Sequence, residues 1–343
     1  MKQDIKSMLP SELEDNFKSI GEQKYRAKQV FSWLHKGITC FSEMSNISFD
    51  LREKLDKEFF ISCLKPLEKQ VSSIDNTVKY LWGLQDNETI ECVVMEYSHG
   101  NSICISSQVG CRMGCLFCAS SLDGLVRNLT PAEMLDQILF SQLDLMKRIS
   151  NIVLMGIGEP LDNFDNVMQF IKLVCHPDGI NIGARHITLS TCGMAENIDR
   201  LSEYDVQLTL AISLHAPDDE TRTMLIPSNS KIGIKGLLEA GRRYFDKTGR
   251  RVTYEYALID GVNDNIWQAE LLSELLKNTA SHLNLISLSN VHERALKAGS
   301  KQNMTNFTDI LKKNGINYTF RRSLGNDIDA SCGQLRRRSQ STV

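Results

Sequence analysis

The chain has 343 residues, a formal net charge of −3 and 42% hydrophobic residues, so it can bury the core of one large domain or of two modest ones. This composition excludes a globally disordered chain, and no stretch approaches the roughly 18 apolar residues of a membrane span. Residues 1–6 lack the apolar segment of a secretory signal, so we expect a cytoplasmic protein with no membrane partner.

Residues 1–65 are predicted to form a small helical domain. Residues 11–14 have the residue types of a capping box, which marks the start of a helix. Residues 24–34 place apolar side chains at helical spacing and leave a basic face. Such a face usually serves only solvation, and the alternative is an RNA-binding accessory domain whose basic side chains contact RNA phosphates.

Residues 66–97 are predicted to form a β-hairpin that links the helical domain to the rest of the chain. Residues 77–84 and 89–97 are rich in β-branched and aromatic side chains, as strands usually are. Asp86 and Asn87 lie between them and form a turn signal.

Strands and helical segments alternate over residues 98–335. Thr130, Pro131 and Glu133 open the clearest helix, with an N-cap, a proline at the first helical position and a capping glutamate. The alternation predicts an α/β fold with a parallel sheet, open or closed into a barrel, whose site lies at the carboxyl ends of the strands. Residues 336–343 are predicted to form a polar, basic tail. The predicted strands span residues 103–107, 152–155, 186–190, 208–213, 252–258, 283–288 and 318–321.

Three cysteines, Cys111, Cys115 and Cys118, are crowded into one predicted loop before the helix at Thr130. In a long chain without a secretory signal, cysteines indicate metal ligation or thiol chemistry rather than disulfides. Closely spaced thiolates suit zinc or an iron–sulfur cluster, and without a fourth cysteine nearby one iron of a four-iron cluster would lack a protein ligand. The alternatives are a structural zinc site completed by a distant Cys or His, and simple buried cysteines.

The spacing of these cysteines resembles the cluster motif of the radical S-adenosylmethionine enzymes. The flanking residues are similar to one branch of them, the RlmN/Cfr family of adenosine methyltransferases. The similarity runs from residues 25–29 through residues 104–111 to residues 327–335, and so covers nearly the whole chain. It implies a partial (β/α)6 radical SAM barrel over residues 98–335, with a [4Fe-4S] cluster held by Cys111, Cys115 and Cys118.

The same resemblance implies a binding site for S-adenosylmethionine. In the family a Gly-Glu pair, here Gly158 and Glu159, binds the amino group of the methionine moiety. Taken alone, such a pair is common in tight turns, and polar residues at strand ends most often satisfy local hydrogen bonds. The further cofactor contacts that the resemblance implies are Ser190, Ser213, Leu214 and His215.

One cofactor contact departs from the family pattern. Where the family carries a Leu-Ile-Pro-x-Asn segment, ungapped alignment places Ser289 on the cofactor-binding asparagine, with Asn290 one position later. Serine offers a single hydroxyl where an amide offers both a donor and an acceptor, so we expect a weaker contact or one supplied by Asn290. Neighbouring strand residues face opposite sides, so Asn290 can substitute only if the strand has already ended.

The resemblance also implies three catalytic residues. Cys332 is first methylated by one S-adenosylmethionine, and the radical made from a second one activates that methyl group, which adds to the adenine ring and links protein to RNA. Cys104 resolves this adduct through a transient disulfide with Cys332, and Glu91 is the proton acceptor. Taken alone, Glu91 in a strand is most often solvent-facing and Cys104 a small core residue.

The resemblance therefore predicts a methyltransferase that acts on carbon 2 of an adenosine in 23S rRNA, and in tRNA for dual-specificity members. It also implies an electron donor such as flavodoxin or ferredoxin, and we expect a monomer. One alternative is methylation of carbon 8 of an adenosine of the same RNA. Another is a non-catalytic RNA-binding protein with a structural metal site. Candidate RNA contacts are basic residues, namely Arg242, Arg243, Arg321, Arg322, Arg336, Arg337, Arg338 and those in residues 24–28.

Overall fold

The structure is a computed structural model that describes residues 2–338 and is built around one long β-sheet. Its helices are α1 (Pro10–Ser19), α2 (Lys24–Leu34), α3 (Phe49–Glu58), α4 (Pro131–Leu145), α5 (Phe164–Cys175), α6 (Ala195–Ser202), α7 (Asp219–Leu225), α8 (Gly233–Thr248), α9 (Ile266–Leu276) and α10 (Lys301–Lys313). Its strands are β1 (Gln3–Asp4), β2 (Phe59–Phe60), β3 (Lys65–Val71), β4 (Val78–Gly83), β5 (Thr89–Tyr97), β6 (Gly100–Cys104), β7 (Gln108–Gly110), β8 (Leu125–Asn128), β9 (Ile149–Leu154), β10 (Ile187–Thr191), β11 (Thr209–Ser213), β12 (Val252–Leu258), β13 (Ser281–Ser287) and β14 (Tyr318–Arg321).

The sheet runs in the order β14-β13-β12-β11-β10-β9-β6-β5-β4-β3. Within this sheet, the strands β6 and β9 to β14 all pair in parallel, and helices α4 to α10 connect them, as crossover connections between parallel strands require. Strands β3 and β14 form open edges, so the barrel is incomplete. The predicted partial (β/α)6 barrel is thereby confirmed.

The predicted hairpin is present as β4 and β5, but it belongs to a larger antiparallel unit. Strand β3 pairs with β4, and β5 pairs with β6, so this unit continues the barrel sheet without a break. Strand β3 has a weak sequence signal because it is a polar, largely exposed edge strand, with lysine and glutamate as edge strands often have.

Local capping explains where two helices begin. At α4 the Thr130 hydroxyl accepts a hydrogen bond from the Glu133 N–H, and the Glu133 carboxylate accepts one from the Thr130 N–H, as the sequence predicts. The capping box predicted at residues 11–14 is wrong. Helix α1 begins at Pro10, because proline has no N–H to lose at the first helical position, and the Glu12 carboxylate accepts from the Leu9 N–H at 2.6 Å.

The N-terminal helices have an apolar core of their own that extends onto the barrel. Leu173 of α5 packs in the same cluster as Phe17 and Phe31. Lys6 donates to Asp136 of α4 at 2.7 Å in a fully buried ion pair, which ties the N-terminal segment to the barrel. No helix within residues 2–338 is long and apolar enough to cross a membrane. Of the predicted tail, residues 339–343 lie outside the described residues.

Candidate active site

The main cavity of the molecule lies at the carboxyl ends of the parallel strands. It has an empty volume of about 980 Å³, including space open to solvent. Most site residues expected from the sequence line it together, namely Cys111, Cys115, Cys118, Gly158, Glu159, Ser190, Ser213, His215, Ser289 and Cys332.

The three-cysteine loop follows β7 and is held against the barrel. The Leu116 N–H donates to the Leu225 carbonyl at the end of α7 at 2.9 Å. Burial raises the pKa of Cys111 to about 12 and that of Cys115 well above its ordinary value, so metal binding there must displace protons.

The donor set provides the three thiolates that a four-iron cluster with one open iron would take from the protein. A structural zinc ion needs four converging ligands, whereas the thiolates of a four-iron cluster each bind a different iron and stay apart. Cys111, Cys115 and Cys118 face the same cavity, as three such ligands should.

Gly158 and Glu159 form a tight turn in the cavity wall after β9. Gly158 has a φ of 109°, and a Cβ there would lie 2.6 Å from the Gln108 Cβ, so only glycine fits. The Glu159 carboxylate accepts from the Cys192 N–H at 2.7 Å and from the Leu161 N–H at 3.1 Å. Burial raises its pKa, and these backbone donors oppose the rise. The carboxylate keeps further lone pairs for an ammonium group.

His215 leaves β11 in a left-handed conformation with a φ of 55° and faces the cavity. Burial, with a contribution from the nearby Arg222 charge, lowers its pKa to about 3, so the ring is neutral. Its Nδ1 accepts from the Ala257 N–H at 2.9 Å, which leaves the proton on Nε2 as a donor for a ligand. Leu214 is fully buried, and its side chain does not line the main cavity.

Ser289 and Asn290, the two candidates at the departure from the family pattern, lie just after the end of β13. The strand ends at Ser287, so strand alternation no longer decides which way Asn290 points. Ser289 lines the main cavity, whereas Asn290 is exposed and its carbonyl accepts from Gln334 Nε2 at 2.8 Å. Ser289 therefore occupies the cavity position, with its single hydroxyl.

Cys332 and Cys104 meet at a second, adjoining cavity of about 530 Å³, which we call the side cavity. Cys332 lines both cavities, as does Arg321, whereas Cys104 lines the side cavity only. Burial raises the pKa of Cys104 to about 12, and the Cys332 thiol adds to the rise. Desolvation by the cavity walls also raises the pKa of Cys332, which the Arg321 charge opposes. The fold thus brings the C-terminal thiol to both the three-cysteine loop and Cys104.

Glu91 lines neither the main cavity nor the side cavity of the structure described for residues 2–338. It is 1% exposed on β5 and is covered by the C-terminal segment. Its Oε2 accepts from the Arg336 N–H at 2.9 Å, and its Oε1 lies 3.1 Å from Arg338 Nε and 3.9 Å from Lys79 Nζ. Burial raises its pKa, and the cations and the N–H donor oppose the rise.

Two charged residues in and beneath the cavity wall were not singled out from the sequence. Glu255 lines the main cavity from the middle of β12. Arg222 is fully buried, and its guanidinium donates to the carbonyls of Cys192, Ser213 and Leu214, which holds the ends of β10 and β11 in place. A carboxylate within the apolar strand 252–258 is the signal that could have identified Glu255, because buried strands rarely carry one.

Most of the candidate RNA-contacting cations are paired within the protein. Arg337 lies 2.5 Å from Glu88, and Arg338 lies 3.1 Å from Glu68. Arg243 lies 2.8 Å from Asp199. Arg336 pairs with Glu293, whereas Arg242 and Arg322 are exposed, and Arg322 lines the side cavity. On the basic face of α2, Lys28 lies 2.9 Å from Asp178.

Comparison with known proteins places the chain in a family. The radical SAM superfamily model matches residues 105–272, and the model of the ribosomal RNA large subunit methyltransferase N-terminal domain matches residues 3–61. The chain is 50% identical to a probable dual-specificity RNA methyltransferase RlmN of Lachnoclostridium phytofermentans, over 97% of this chain and 94% of that protein. It is 51% identical to the protein of the same name from Alkaliphilus oremlandii, over 98% of each chain.

A solved structure agrees with these matches. A crystal structure of a radical SAM methyltransferase from Sphaerobacter thermophilus has a TM-score of 0.93 and 38% identity, covering 97% of this chain and 99% of that chain. The superfamily implies S-adenosylmethionine and a [4Fe-4S] cluster as cofactors. The prediction of a methyltransferase is confirmed over that of a non-catalytic binding protein. The chain belongs to the RlmN family of RNA methyltransferases, within the radical SAM superfamily.

Proposed function

We propose that this protein methylates carbon 2 of an adenosine in 23S rRNA and in tRNA, with Cys332 as the carrier of the methyl group. The observation that carries the proposal is that Cys332 shares one cavity with the three-cysteine loop and a second cavity with Cys104. A thiol at that junction can receive a methyl group on one side and be released by a second thiol on the other.

Cys111, Cys115 and Cys118 would hold the [4Fe-4S] cluster. When bound, the cluster and two molecules of S-adenosylmethionine per turnover supply a methyl group and the radical chemistry that no side chain provides. Glu159 pairs with the ammonium of the methionine moiety, and Gly158 lets the backbone approach it. Ser190, Ser213, His215 and Ser289 complete the contacts around the cofactor, and the buried Leu214 supports this wall between Ser213 and His215.

Three residues of the chain handle the methyl group and the proton. Cys332 carries the methyl group to the adenine and becomes linked to it. Glu91 takes the proton that leaves carbon 2 of the adenine. Cys104 attacks the Cys332 sulfur, so the disulfide forms as the bond from that sulfur to the transferred carbon breaks, and the freed carbon takes up a proton to complete the methyl group. A thiol reductant must then reduce the disulfide before the next turnover. Because Arg336 and Arg338 now cover Glu91, the C-terminal segment has to move from β5 before Glu91 can act on RNA.

The partners and setting complete the proposal. We expect the enzyme to act as a monomer in the cytoplasm, with an electron donor such as flavodoxin or ferredoxin. Arg322 lines the side cavity and has no ion-pair partner within residues 2–338, which makes it a candidate contact for the RNA phosphates, since paired arginines must first release their carboxylates.

The test is nucleoside mass spectrometry after reaction of the anaerobically reconstituted protein with 23S rRNA and tRNA lacking the modification. We expect 2-methyladenosine in both RNAs and none with a Cys332→Ala variant. Formation of 8-methyladenosine instead would establish the alternative ring position. Absence of both products from protein with an intact cluster would contradict the proposal.

A further inference from the structure

Strand β12 carries one buried carboxylate that neither the family resemblance nor the proposed mechanism uses. Glu255 lies in the middle of Val252–Leu258 and is 4% exposed, yet it lines the main cavity. Burying a carboxylate is costly unless it is paired or hydrogen-bonded. An unexplained carboxylate in a cavity wall therefore calls for a partner.

The protein satisfies only one of the two oxygens. Asn284 Nδ2 of β13 donates to Glu255 Oε1 at 3.0 Å, whereas Oε2 is buried and has no hydrogen-bond partner among the described residues. Burial raises the pKa of Glu255, and the Arg321 charge and the Asn284 bond oppose the rise. Buried polar groups are nearly always hydrogen-bonded, so Oε2 marks a position where a bound molecule supplies a donor.

The neighbours of Glu255 indicate which donor this is. Glu255 pairs in register with Ser213 on β11, and its carbonyl accepts from the His215 N–H at 3.2 Å. Ser213 and His215 line the same cavity, so this part of the wall offers a hydroxyl, an imidazole N–H and a carboxylate side by side. A hydroxyl-bearing ligand, which both donates and accepts, suits this set better than an amine that only donates.

We propose that Glu255 binds the ribose hydroxyls of S-adenosylmethionine. The proposal rests on the proposed function, which places this cofactor in the main cavity with its ammonium at Glu159. An acidic side chain on a ribose hydroxyl is also the way in which dinucleotide-binding folds recognise the sugar. Glu255 is thereby a cofactor-positioning residue that holds the nucleoside end while Glu159 holds the methionine end.

The experiment is anaerobic titration calorimetry on the cluster-containing protein, with S-adenosylmethionine and its 2′-deoxy, 3′-deoxy and N6-dimethyl analogues. The wild type is expected to bind at least one deoxy analogue about 10-fold more weakly, as expected for one lost hydrogen bond to a charged group. Glu255→Gln should bind S-adenosylmethionine about 10-fold more weakly and lose this discrimination. Glu270→Gln, at an exposed position of α9, is the matched control and should behave as the wild type.

Several results would overturn the proposal. One is that the wild type binds both deoxy analogues as tightly as S-adenosylmethionine itself. Another is that Glu255→Gln still discriminates between S-adenosylmethionine and the deoxy analogues as the wild type does. The third is that only the N6-dimethyl analogue binds the wild type more weakly, which would assign Glu255 to the adenine amine. The analogue series on the wild type needs no variant, so poor folding of Glu255→Gln cannot hide the answer. Failure of the proposed function gives a different result. If the wild type binds S-adenosylmethionine but forms no methyladenosine, only the proposed function is overturned. If the wild type does not bind S-adenosylmethionine, both proposals are overturned.

Discussion

Cys332 is the cysteine that lines both cavities of the candidate site. It faces the main cavity on one side and shares the side cavity with Cys104 on the other. Desolvation raises the pKa of its thiol, and the Arg321 charge opposes the rise. Because the thiolate is the nucleophilic form, a raised pKa lowers the reactivity of Cys332.

Cys104→Ala is expected to trap the covalent link between Cys332 and RNA, because the second thiol that releases it is gone. After reaction with RNA, a denaturing gel should show a nuclease-sensitive band of higher mass that thiol reductants do not remove. Cys92→Ala is the matched control, since Cys92 lies on β5 with its thiol beside Trp82 and Ser141, away from both cavities. If Cys104→Ala methylates RNA at the wild-type rate and the band is absent, Cys104 has no part in the mechanism.

Gly158→Ala should weaken binding of S-adenosylmethionine. The positive φ strains any side chain there, and the new methyl group would meet Gln108 at 2.6 Å, so the turn that carries Glu159 has to shift. A cost of about 1–3 kcal/mol corresponds to a roughly 5- to 150-fold loss of affinity, measured by calorimetry. Gly261→Ala is the control, because Gly261 also has a positive φ but has open space around it. Equal effects of the two changes would contradict the role of the Gly158 turn.

At the scale of elements, residues 326–338 form a C-terminal strap that contains Cys332. The strap is bound to the rest of the protein both before and after this cysteine. Before the cysteine, the Asp327 carboxylate accepts from the Ser73 N–H at 2.9 Å. After it, the Gly333 carbonyl accepts from the Ala119 N–H at 2.7 Å, beside the three-cysteine loop. Arg338 then pairs with Glu68 of β3 and Glu91 of β5, and Arg337 pairs with Glu88 just before β5. Movement of Cys332 toward RNA therefore requires release of the strap.

Glu91→Gln separates the catalytic role of Glu91 from its role as an anchor of the strap. Glutamine still accepts from the Arg336 N–H but cannot take a proton, so Cys332 should become methylated at the wild-type level while RNA methylation falls about 100-fold or more. Peptide mass mapping and nucleoside mass spectrometry report the two steps separately. Glu96→Gln, an exposed change on the same strand, is the control. Loss of both steps together would mean that Glu91 only anchors the strap.

The strands that sequence analysis located best are those with a strong local signal. The predicted bounds 252–258 and 318–321 agree with β12 and β14, which are β-branched and aromatic runs. Strand β6 begins earlier than predicted, at Gly100, because Gly100 and Asn101 pair with Tyr97 and Glu96 of β5. Glycine and asparagine have a low intrinsic preference for strands. Tertiary pairing of this kind leaves no local signal.

The residues of the candidate site likewise fall into those that a local sequence motif identifies and those that only the fold brings together. The cysteine loop and the Gly158 turn are local motifs, so their residues could be identified from the sequence. The pairing of Glu91 with Arg336 and Arg338 joins distant parts of the chain, and the free oxygen of Glu255 depends on three strands at once. Such contacts follow from the fold and cannot be inferred from spacing.

At the scale of the whole molecule, the N-terminal helices are fastened to the barrel by contacts far from the active site. His35, at the end of α2, packs on Phe31, which also contacts His176 at the end of α5. His35 is buried, and neither ring nitrogen has a hydrogen-bond partner among the described residues. Burial lowers its pKa to about 3, with smaller contributions from the His176 and Lys6 charges.

This histidine should make the folded protein sensitive to acid. Below pH 6.5, the ordinary pKa of histidine, His35 is protonated in the unfolded chain but stays neutral in the folded protein. The free energy of unfolding therefore falls as the pH drops from 6.5 toward 3. The slope from this residue is at most about 1.4 kcal/mol per pH unit. His35→Leu should remove that part, which urea unfolding at a series of pH values measures. An unchanged pH slope in His35→Leu would show that His35 is not the source.

The most direct test of the account follows one methyl carbon through the enzyme. Protein is prepared with a heavy-carbon methyl group on Cys332, freed of cofactor, and allowed a single turnover on RNA with unlabelled S-adenosylmethionine. The account predicts that the first methyladenosine formed carries the heavy carbon, because the Cys332 methyl group is the one transferred. Unlabelled methyladenosine, with the heavy methyl group still on Cys332, would contradict it.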